Sequence, residues 1–521
     1  MSMKILTYPS TFTSGVFYKS TSHPSATFWT LVLRLFSAIR AMNTALAIPE
    51  LLRRIFEYGT RHDNYSNVLV SKAWSDEAIP VLWRCLDSLW PLLSLLGPLK
   101  LVLLENGERR YRFRRPIRSS DWATFSKYAW CIHELRSIRR KFDFCDSVVS
   151  DIGISRPTSS ILPNLRCFHY IGGSTPFLPL LVNTQSLREF VVRMDCTTEE
   201  IMQRRTTLTL LHALAPNLEV LRLELILPPS FLCPCLLRAL SALPHLRSLR
   251  ASRASFEGDE TQVSMSPIPN DHGFQSLANL ELDDYSYNTV ASILKSYNPH
   301  SITKLAVGSF TREAHGGYVD LFSAISASCP SIEEITISNG WREVEPDTEE
   351  PPRYHSSMLL FEPLFRCSYM TSLTLNNSVP LYLDVGAMTE LVKAFPNLRV
   401  LRLFEEATTP PTLPLSSLAT LAPLCPNMEH LALNMDTSGI TAPPHDENLI
   451  LSGVQFRRLK VLDVGLSTLR SPAPVVSSFL LTILPKGCKV EYMFDNGLGG
   501  DDTERPCYNW SHVPRAVRRR F

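Results

Sequence analysis

The stretch PNLEVLRL, at residues 216–223, decides the fold because the chain carries two close copies of it. The copies are PNLRVLRL at 396–403 and PNMEHLAL at 426–433. All three share the template apolar-x-x-apolar-x-apolar after a Pro-Asn turn, and eleven instances of the template occur in order between residues 165 and 464. They begin at Leu165, Leu187, Leu218, Leu246, Leu277, Ile302, Ile332, Met370, Leu398, Met428 and Leu459. Successive starts lie 22 to 38 residues apart, which indicates a repeated structural unit.

Each template is long enough for one strand, and most of the intervening segments have the apolar spacing of a helix. Ile132 marks an earlier unit, and residues 490–494 predict a closing strand. One strand and one helix per repeat is typical of a solenoid. We therefore predict an α/β solenoid over residues 131–495, a horseshoe with parallel strands inside and helices outside. The alternative is an ordinary α/β domain with coincidental leucine motifs, which eleven ordered instances make the weaker interpretation.

Side chains alternate along a strand, so the residues between the template positions should face the concave surface of such a horseshoe. The candidates for binding a target protein there are Arg193, Arg222, Arg250, Glu281, Asp283, Arg402, Phe404 and His430. We expect the first three arginines to form a row on adjacent strands about 5 Å apart. Such a row suits an acidic or phosphorylated segment. The alternative is a solvated surface that Glu189 and Glu224 neutralise.

A different pattern, IPELLRRIFEYGTRHDNYSNVLVSKAWSDEAIPVLWR, occupies residues 48–84. Pro49 can open a helix at its first position, and Gly59 can end it. Asp63 can cap a second helix that runs to about Trp74, and residues 79–83 predict a third short element. A unit of about 37 residues cannot bury all of this apolar surface by itself. Part of the surface is therefore expected to face a partner.

Residues 48–84 resemble an F-box, with Ile48 in place of the usual Leu before the proline. The repeats resemble a degenerate leucine-rich-repeat array, although the Asn or Cys usual two residues beyond the last template position is mostly absent. Together they resemble fungal F-box proteins with leucine-rich repeats. The resemblance implies docking on the Skp-family linker of a cullin ubiquitin ligase. The docking residues it implies are Ile48, Pro49, Leu51, Leu52, Ile55, Phe56, Val70, Trp74, Leu82 and Trp83.

Under this interpretation the chain is the non-catalytic substrate-recognition subunit of an SCF-type ligase, and its repeats hold a target protein whose identity the sequence does not give. It would work in the cytoplasm, the nucleus or both. One alternative is a leucine-rich-repeat scaffold without a ligase. Another makes residues 48–84 an amphipathic helical hairpin of the protein's own core.

The remaining segments divide the chain further. Residues 1–45 contain no Asp or Glu, which suggests either a disordered leader that precedes a true start near Met42 or a mitochondrial transit peptide. The F-box spans 46–84, a connector spans 85–130, and a basic tail spans 496–521. The acidic, proline-rich stretch 341–353 is expected to be a protruding loop.

The connector holds six arginines with interleaved aromatics between Arg109 and Arg118. This pattern could bind nucleic acid, but an exposed strand edge protected by charge is the simpler interpretation.

Composition and motifs exclude other classes of function. The net charge is +2, so the overall balance does not indicate nucleic acid as a partner. No GxxxxGK, HExxH or GxSxG motif occurs, and Cys233 and Cys235 are the only close cysteine pair. Without such motifs we expect neither an enzyme nor a cofactor, metal or small-molecule substrate. No apolar run is long enough for a membrane span.

Overall fold

The computed structural model divides the chain into two compact units, Met1–Trp83 and Arg84–Phe521. The residues it describes are 48–104, 107, 109–138, 144–171, 178–195, 206–226, 234–253, 273–309, 313, 315–339, 360–377, 383–405, 411–440, 455–465, 467, 469–492, 510 and 513. The leader 1–45, the acidic loop 341–353 and Cys233 lie outside these residues. Their expected roles therefore stay predictions.

The described part of the first unit is helical, and we call residues 48–83 the helical unit. Its helices are α1 (Pro49–Tyr58), α2 (Arg61–Val68) and α3 (Lys72–Arg84), the last residue of α3 belonging to the second unit. Proline opens α1 and Gly59 follows its last residue, as predicted. These bounds correct the expected second helix, which was placed from Asp63 to about Trp74.

The correction has a local cause at each end of α2. Thr60 is its N-cap residue, and Asp63 completes a capping box from the third helical position. The Thr60 hydroxyl and amide donate to the Asp63 carboxylate, and these bonds lower its pKa. At the other end, the Ser71 hydroxyl accepts a hydrogen bond from the Trp74 amide at 3.2 Å. Ser71 thereby starts a new helix, so Trp74 belongs to α3.

The second unit contains a parallel sheet of 14 strands among the described residues, and its strands follow one another in chain order. These strands are β1 (Cys85–Leu86), β4 (Glu134–Ile138), β5 (Cys167–Ile171), β6 (Glu189–Asp195), β7 (Val220–Ile226), β8 (Ser248–Arg253), β9 (Asn279–Asp283), β10 (Lys304–Ser309), β11 (Glu334–Asn339), β12 (Ser372–Asn377), β13 (Val400–Glu405), β14 (His430–Leu433), β15 (Val461–Asp463) and β16 (Lys489–Glu491). Strands β2 (Leu99–Leu103) and β3 (Arg109–Phe113) form a separate antiparallel hairpin.

Helical segments connect most of the strands. The α-helices are α4 (Trp90–Leu93), α5 (Ser119–Ala129), α6 (Asp146–Ser155), α7 (Leu178–Val182), α8 (Leu211–Leu214), α9 (Pro234–Ser241), α10 (Tyr287–Tyr297), α11 (His315–Ser328), α12 (Val385–Ala394), α13 (Leu418–Leu421) and α14 (Ala473–Ile483). Short 3-10 helices cover Glu362–Arg366, Leu415–Ser417 and Ala422–Leu424. Parallel strands in sequence order with helical connections confirm the predicted α/β solenoid of the leucine-rich-repeat type.

The core follows directly from the repeated template. In the unit of β7, Leu218, Leu221 and Leu223 are at most 1% exposed, whereas Arg222 between them is exposed. Neighbouring strands place the equivalent residues side by side, so Leu221 lies opposite Leu249 of β8. The buried rows and the buried residues of the helices form one continuous apolar core along the array.

The residue before each strand links neighbouring units through the backbone. Its amide donates to the carbonyl of the equivalent residue in the preceding unit, as Glu219 does to Arg188 at 2.8 Å. The same bond recurs from Arg166, Arg188, Arg247, Ala278, Thr303, Glu333, Thr371, Arg399, Glu429 and Lys460. This backbone ladder pairs the amide that precedes a strand with a carbonyl of the neighbouring unit, so these backbone polar groups are satisfied.

The Pro-Asn turns add a second link between units. The Asn217 side chain donates to the carbonyl of Gln185 in the preceding unit at 2.9 Å. Asn164 donates in the same way to Trp130 at 2.8 Å. Asn164 and Asn217 therefore tie their turns to the neighbouring units.

Both ends of the array depart from the expected boundaries. Strand β1 pairs with β4, so the sheet already begins at Cys85, inside the segment predicted to be a connector. At the other end, Trp510 and Val513 are buried although they belong to the predicted basic tail. The Trp510 indole donates to the carbonyl of Ser467 at 2.7 Å. Although the segment is basic overall, burial of these two apolar side chains anchors it to the array at these positions.

Candidate functional site

Helix α1 carries two apolar stripes that point in different directions. Leu52 and Phe56 are each 2% exposed, whereas Leu51 and Ile55 are 45% and 50% exposed. Both pairs are four residues apart, and each pair therefore lies on one side of the helix. The stripes begin one residue apart, which is a rotation of about 100° around the axis.

The inner stripe belongs to the core of the helical unit. Leu52 and Phe56 form this core with Ala78, and Trp74 packs against it with its ring centroid 5.4 Å from that of Phe56. The Asn64 side chain donates to the carbonyl of Phe56 at 2.8 Å and fixes α2 against α1. This placement corrects the expectation that Leu52 and Phe56 contact a partner, because their side chains are already buried within the unit.

The outer stripe of α1 is solvent-exposed, and further exposed apolar side chains follow it in the sequence. Seven of the fourteen exposed large hydrophobic residues in the described part of the chain fall between residues 48 and 70. They are Ile48, Leu51, Ile55, Tyr58, Tyr65, Leu69 and Val70. We call these seven residues the outer apolar surface. Of the other predicted docking residues, Pro49 is exposed, and Trp74, Leu82 and Trp83 are half-buried.

The second candidate surface is the strand face, defined as the side chains at the first, third and fifth positions of the strands. The strand pairing places Arg222 opposite Arg250, with Val191 before them and Glu281 after them. Arg193 instead lies opposite Glu224, two residues further along the strands. The predicted row of three arginines is therefore wrong: two of them are neighbours, and the third occupies another row.

Carboxylates accompany most of these arginines. Arg193 lies 3.8 Å from Glu224. Arg250 lies 3.3 Å from both Glu281 and Asp283. Burial raises the pKa of Glu281 more than the nearby Arg250 lowers it. This part of the strand face is a network of opposite charges. Of the two glutamates that the alternative named, Glu224 lies near Arg193, whereas Glu189 lies 3.5 Å from His169.

The remaining predicted target-binding residues lie farther along the array. Arg402 is exposed at the third position of β13. Phe404 is at the fifth position of the same strand, but its side chain lies outside the described residues. His430 begins β14 and is half-buried. The sequence does not identify the cationic side chains around His430, which are separated in the chain but adjacent in the fold.

The arginine-rich segment forms strand β3 of the hairpin and the turn after it. Arg112 lies opposite Lys100, which makes one face of the hairpin basic. Arg115 is structural: its guanidinium forms two hydrogen bonds with Asp121, at 2.6 and 2.9 Å. These bonds hold the pKa of the Asp121 carboxyl at about 2. On the side of β3 away from β2, Tyr111 forms a bridge with Phe144, and the Cys145 amide donates to the Tyr111 carbonyl at 2.9 Å. The strand edge protected by charge and the nucleic-acid site both stay predictions.

Metal binding and membrane insertion are two further properties on which the described residues bear. In this part of the chain, no three His, Cys, Asp or Glu side chains come together as possible metal ligands. None of the described helices has both the length and the apolar character required to cross a bilayer. Burial raises the pKa of the thiols of Cys329 and Cys425 to about 12, which makes them poor nucleophiles at neutral pH.

Comparison with known proteins adds little. No protein-family model matches the sequence, and no curated protein matches it. Among solved structures, a chain of the crystal structure of the Rad7 and Elc1 complex in yeast is similar at 13% identity, over 92% of this chain and 98% of that chain. The TM-score is 0.30, which is too low to carry an argument. The fold assignment therefore rests on the strand order and register described above.

Proposed function

We propose that this chain is the substrate-recognition subunit of an SCF-type cullin ubiquitin ligase. In this proposal the helical unit docks on a Skp-family linker, and the strand face of the array holds a target protein. The observation that carries the proposal is the outer apolar surface on α1 and α2. The F-box resemblance of residues 48–84 names the class of partner, and the exposed side chains supply the surface that such a partner would cover.

The physical argument is the cost of leaving this surface in water. Fully burying one Leu or Ile side chain contributes about 1.5–3 kcal/mol. Leu51 and Ile55 lie side by side on α1 and are about half exposed. Tyr58, at 81% exposure, extends the same stripe by one turn. Aromatic and aliphatic residues clustered in this way are typical of the energetic centre of a protein interface.

The proposed mechanism needs no catalytic group from this chain. A target held on the array and a ligase held by the helical unit share one complex, which raises the effective concentration of target lysines near the ubiquitin-loaded enzyme. Arg402, an exposed cation on the strand face, would face a carboxylate of the target in this proposal, because complementary charges across an interface fix the register of a partner and disfavour wrong ones.

The test is co-purification of the full chain with a Skp-family linker, using the variant Leu51→Ala, Ile55→Ala. Since each side chain has about half of its surface left to bury, removing both should cost about 1.5–3 kcal/mol of binding, which corresponds to a roughly 10- to 150-fold weaker complex. The matched control is Ile154→Ala, Tyr369→Ala, which removes exposed apolar side chains at 87% and 62% exposure from the array. The control should bind like the unmodified chain.

Two results would count against the proposal. Equal loss of linker binding in both variants would mean that the outer apolar surface is not the docking site. Absence of binding by a folded, unmodified chain would remove the ligase role and leave the alternative of a repeat scaffold that binds a protein without a ligase.

A further inference from the structure

A depression of about 490 Å³ lies at the C-terminal end of the array, and its lining is strongly cationic. Its charged or ionisable lining residues are His430, Arg457, Arg458, Lys460, Lys486 and Lys489. The other lining residues are aliphatic side chains, a proline and a glycine. Among the described residues, none of those that line the depression carries a carboxylate.

Three successive repeats build this depression. His430 and Lys489 occupy the first positions of β14 and β16, on either side of β15. Arg457 and Arg458 come from the turn before β15, and Lys486 from the turn before β16. Because the turns precede adjacent parallel strands, residues about 30 positions apart in the chain meet at the same edge of the sheet.

Only part of this positive charge is neutralised. Glu429 is the nearest carboxylate in the backbone ladder, and hydrogen bonds from Lys460 and Arg399 hold its pKa at about 2. Both of its oxygens are therefore already engaged. Arg457, Arg458, Lys486 and Lys489 are exposed and form no ion pair with any described residue.

Two other carboxylates lie on the neighbouring strands without contacting these cations. Asp463 of β15 accepts a hydrogen bond from the Gly465 amide at 2.9 Å, so one of its carboxylate oxygens already has a donor. Glu491 is the partner of Asp463 in the strand pairing, two residues beyond Lys489. The depression thus keeps at least four unpaired cations among the described residues, whereas Arg193 and Arg250 elsewhere on the strand face are paired.

We propose that this depression binds a phosphate group carried on a segment of the target protein. The arginine and lysine side chains that two adjacent repeats supply to this lining match the several acceptor oxygens and the double charge of a phosphorylated residue. The described lining residues include no Phe, Tyr or Trp, the side chains on which the bases of single-stranded nucleic acid most often stack. This inference rests on the proposed function, because it specifies the chemistry of the target protein that the array would hold.

The test is fluorescence anisotropy of the full chain with a labelled glycine–phosphoserine peptide. The comparison probes are the same peptide with unmodified serine and an oligothymidine. The test variant is Lys486→Glu, Lys489→Glu. Its matched control, Lys295→Glu, Lys393→Glu, makes the same change of net charge at exposed positions on α10 and α12.

We expect the unmodified chain and the control to prefer the phosphorylated peptide to the unmodified one. The test variant should bind the phosphorylated peptide on the order of tenfold or more weakly, since it replaces two attractive charges by repulsive ones. Four results would overturn the proposal: no binding by the unmodified chain, equal affinity for both peptides, equal loss in both variants, or tighter binding of the oligothymidine at this site.

This outcome is separable from that of the proposed function. The substituted lysines belong to the array, so the test variant should still co-purify with a Skp-family linker. A chain that binds the phosphopeptide but not the linker contradicts the ligase role alone. A chain that binds the linker but not the phosphopeptide contradicts this inference alone.

Discussion

Replacing Phe56 with Ala should unfold the helical unit while the repeat array stays folded. The Phe56 ring is 2% exposed and packs against Trp74 and Leu52. Removing a buried Phe side chain costs about 3–5 kcal/mol. The 36 described residues of the helical unit have a stability of about 2–5 kcal/mol, at roughly 0.05–0.15 kcal/mol per residue. The loss is therefore comparable to the whole stability of the unit.

The assay is native-state hydrogen exchange followed by mass spectrometry on the full chain. In the Phe56→Ala variant, peptides from α1 and α3 should lose protection, whereas peptides from β6 to β14 should keep it. The matched control is Leu51→Ala, which truncates a neighbouring side chain on the outer stripe. Because Leu51 is 45% exposed, we expect the control to change stability by less than about 1 kcal/mol.

The two variants make the reasoning refutable. If Phe56→Ala keeps the protection of the unmodified chain, the inner stripe is not the core of the unit. If Leu51→Ala destabilises the unit as much as Phe56→Ala does, the distinction between inner and outer stripes is wrong. Either result would also remove the basis for assigning the outer apolar surface to a partner.

Three further predictions concern the array. Lys460 and Arg399 hold the pKa of Glu429 at about 2, below its ordinary value. The ionised Glu429 should therefore stabilise the array above about pH 4.5, and this stabilisation should fall as the pH drops toward 2. Chemical denaturation should show that the Glu429→Gln variant is less stable than the unmodified chain near pH 7 and that the difference in stability between the two narrows in acid. Asn217→Ala removes the hydrogen bond between turns, and chemical denaturation should show a loss of about 0.5–1.5 kcal/mol; no change would mean that this bond does not stabilise the array. Trp510→Ala leaves a cavity at the C-terminal end, so β15 should lose hydrogen-exchange protection, and unchanged protection would contradict its role as an anchor.

The repeats could be predicted from the sequence because a strand has a period of two. Leu221 and Leu223 alternate with Arg222, and apolar residues recur with the same spacing at every template. The misplaced arginine row shows the limit of this pattern. A row contains only residues at the same position of neighbouring strands, and Arg193 is at the fifth position of its strand whereas Arg250 is at the third. Alignment of the templates would have been enough to show that Arg193 and Arg250 occupy different positions of their strands.

The two stripes of α1 could not be assigned from the sequence. Leu51 with Ile55 and Leu52 with Phe56 have the same spacing and similar hydrophobicity. Only tertiary contacts decide which pair is buried, and here Trp74 packs against the second pair. Helical periodicity identifies an apolar side of a helix, but it does not say whether the chain itself or a partner covers that side.

The basic depression and the C-terminal anchor were missed for different reasons. Arg458 and Lys489 are about 30 residues apart in the chain, and only the stacking of repeats brings them together. Their positions relative to the templates were the available signal. For Trp510, a single buried aromatic residue gives no periodic signal, and the surrounding basic residues favoured the prediction of a tail.

The most direct test of the proposed function is calorimetric titration of a Skp-family linker into the full, folded chain. We predict saturable one-to-one binding with a negative heat-capacity change, because the outer apolar surface would leave water on docking. The Leu51→Ala, Ile55→Ala variant should reduce both the affinity and the heat-capacity change. Absence of binding heat across several temperatures, from a chain whose α1 and α3 amides are protected from exchange, would contradict the proposal that this protein is a ligase adaptor.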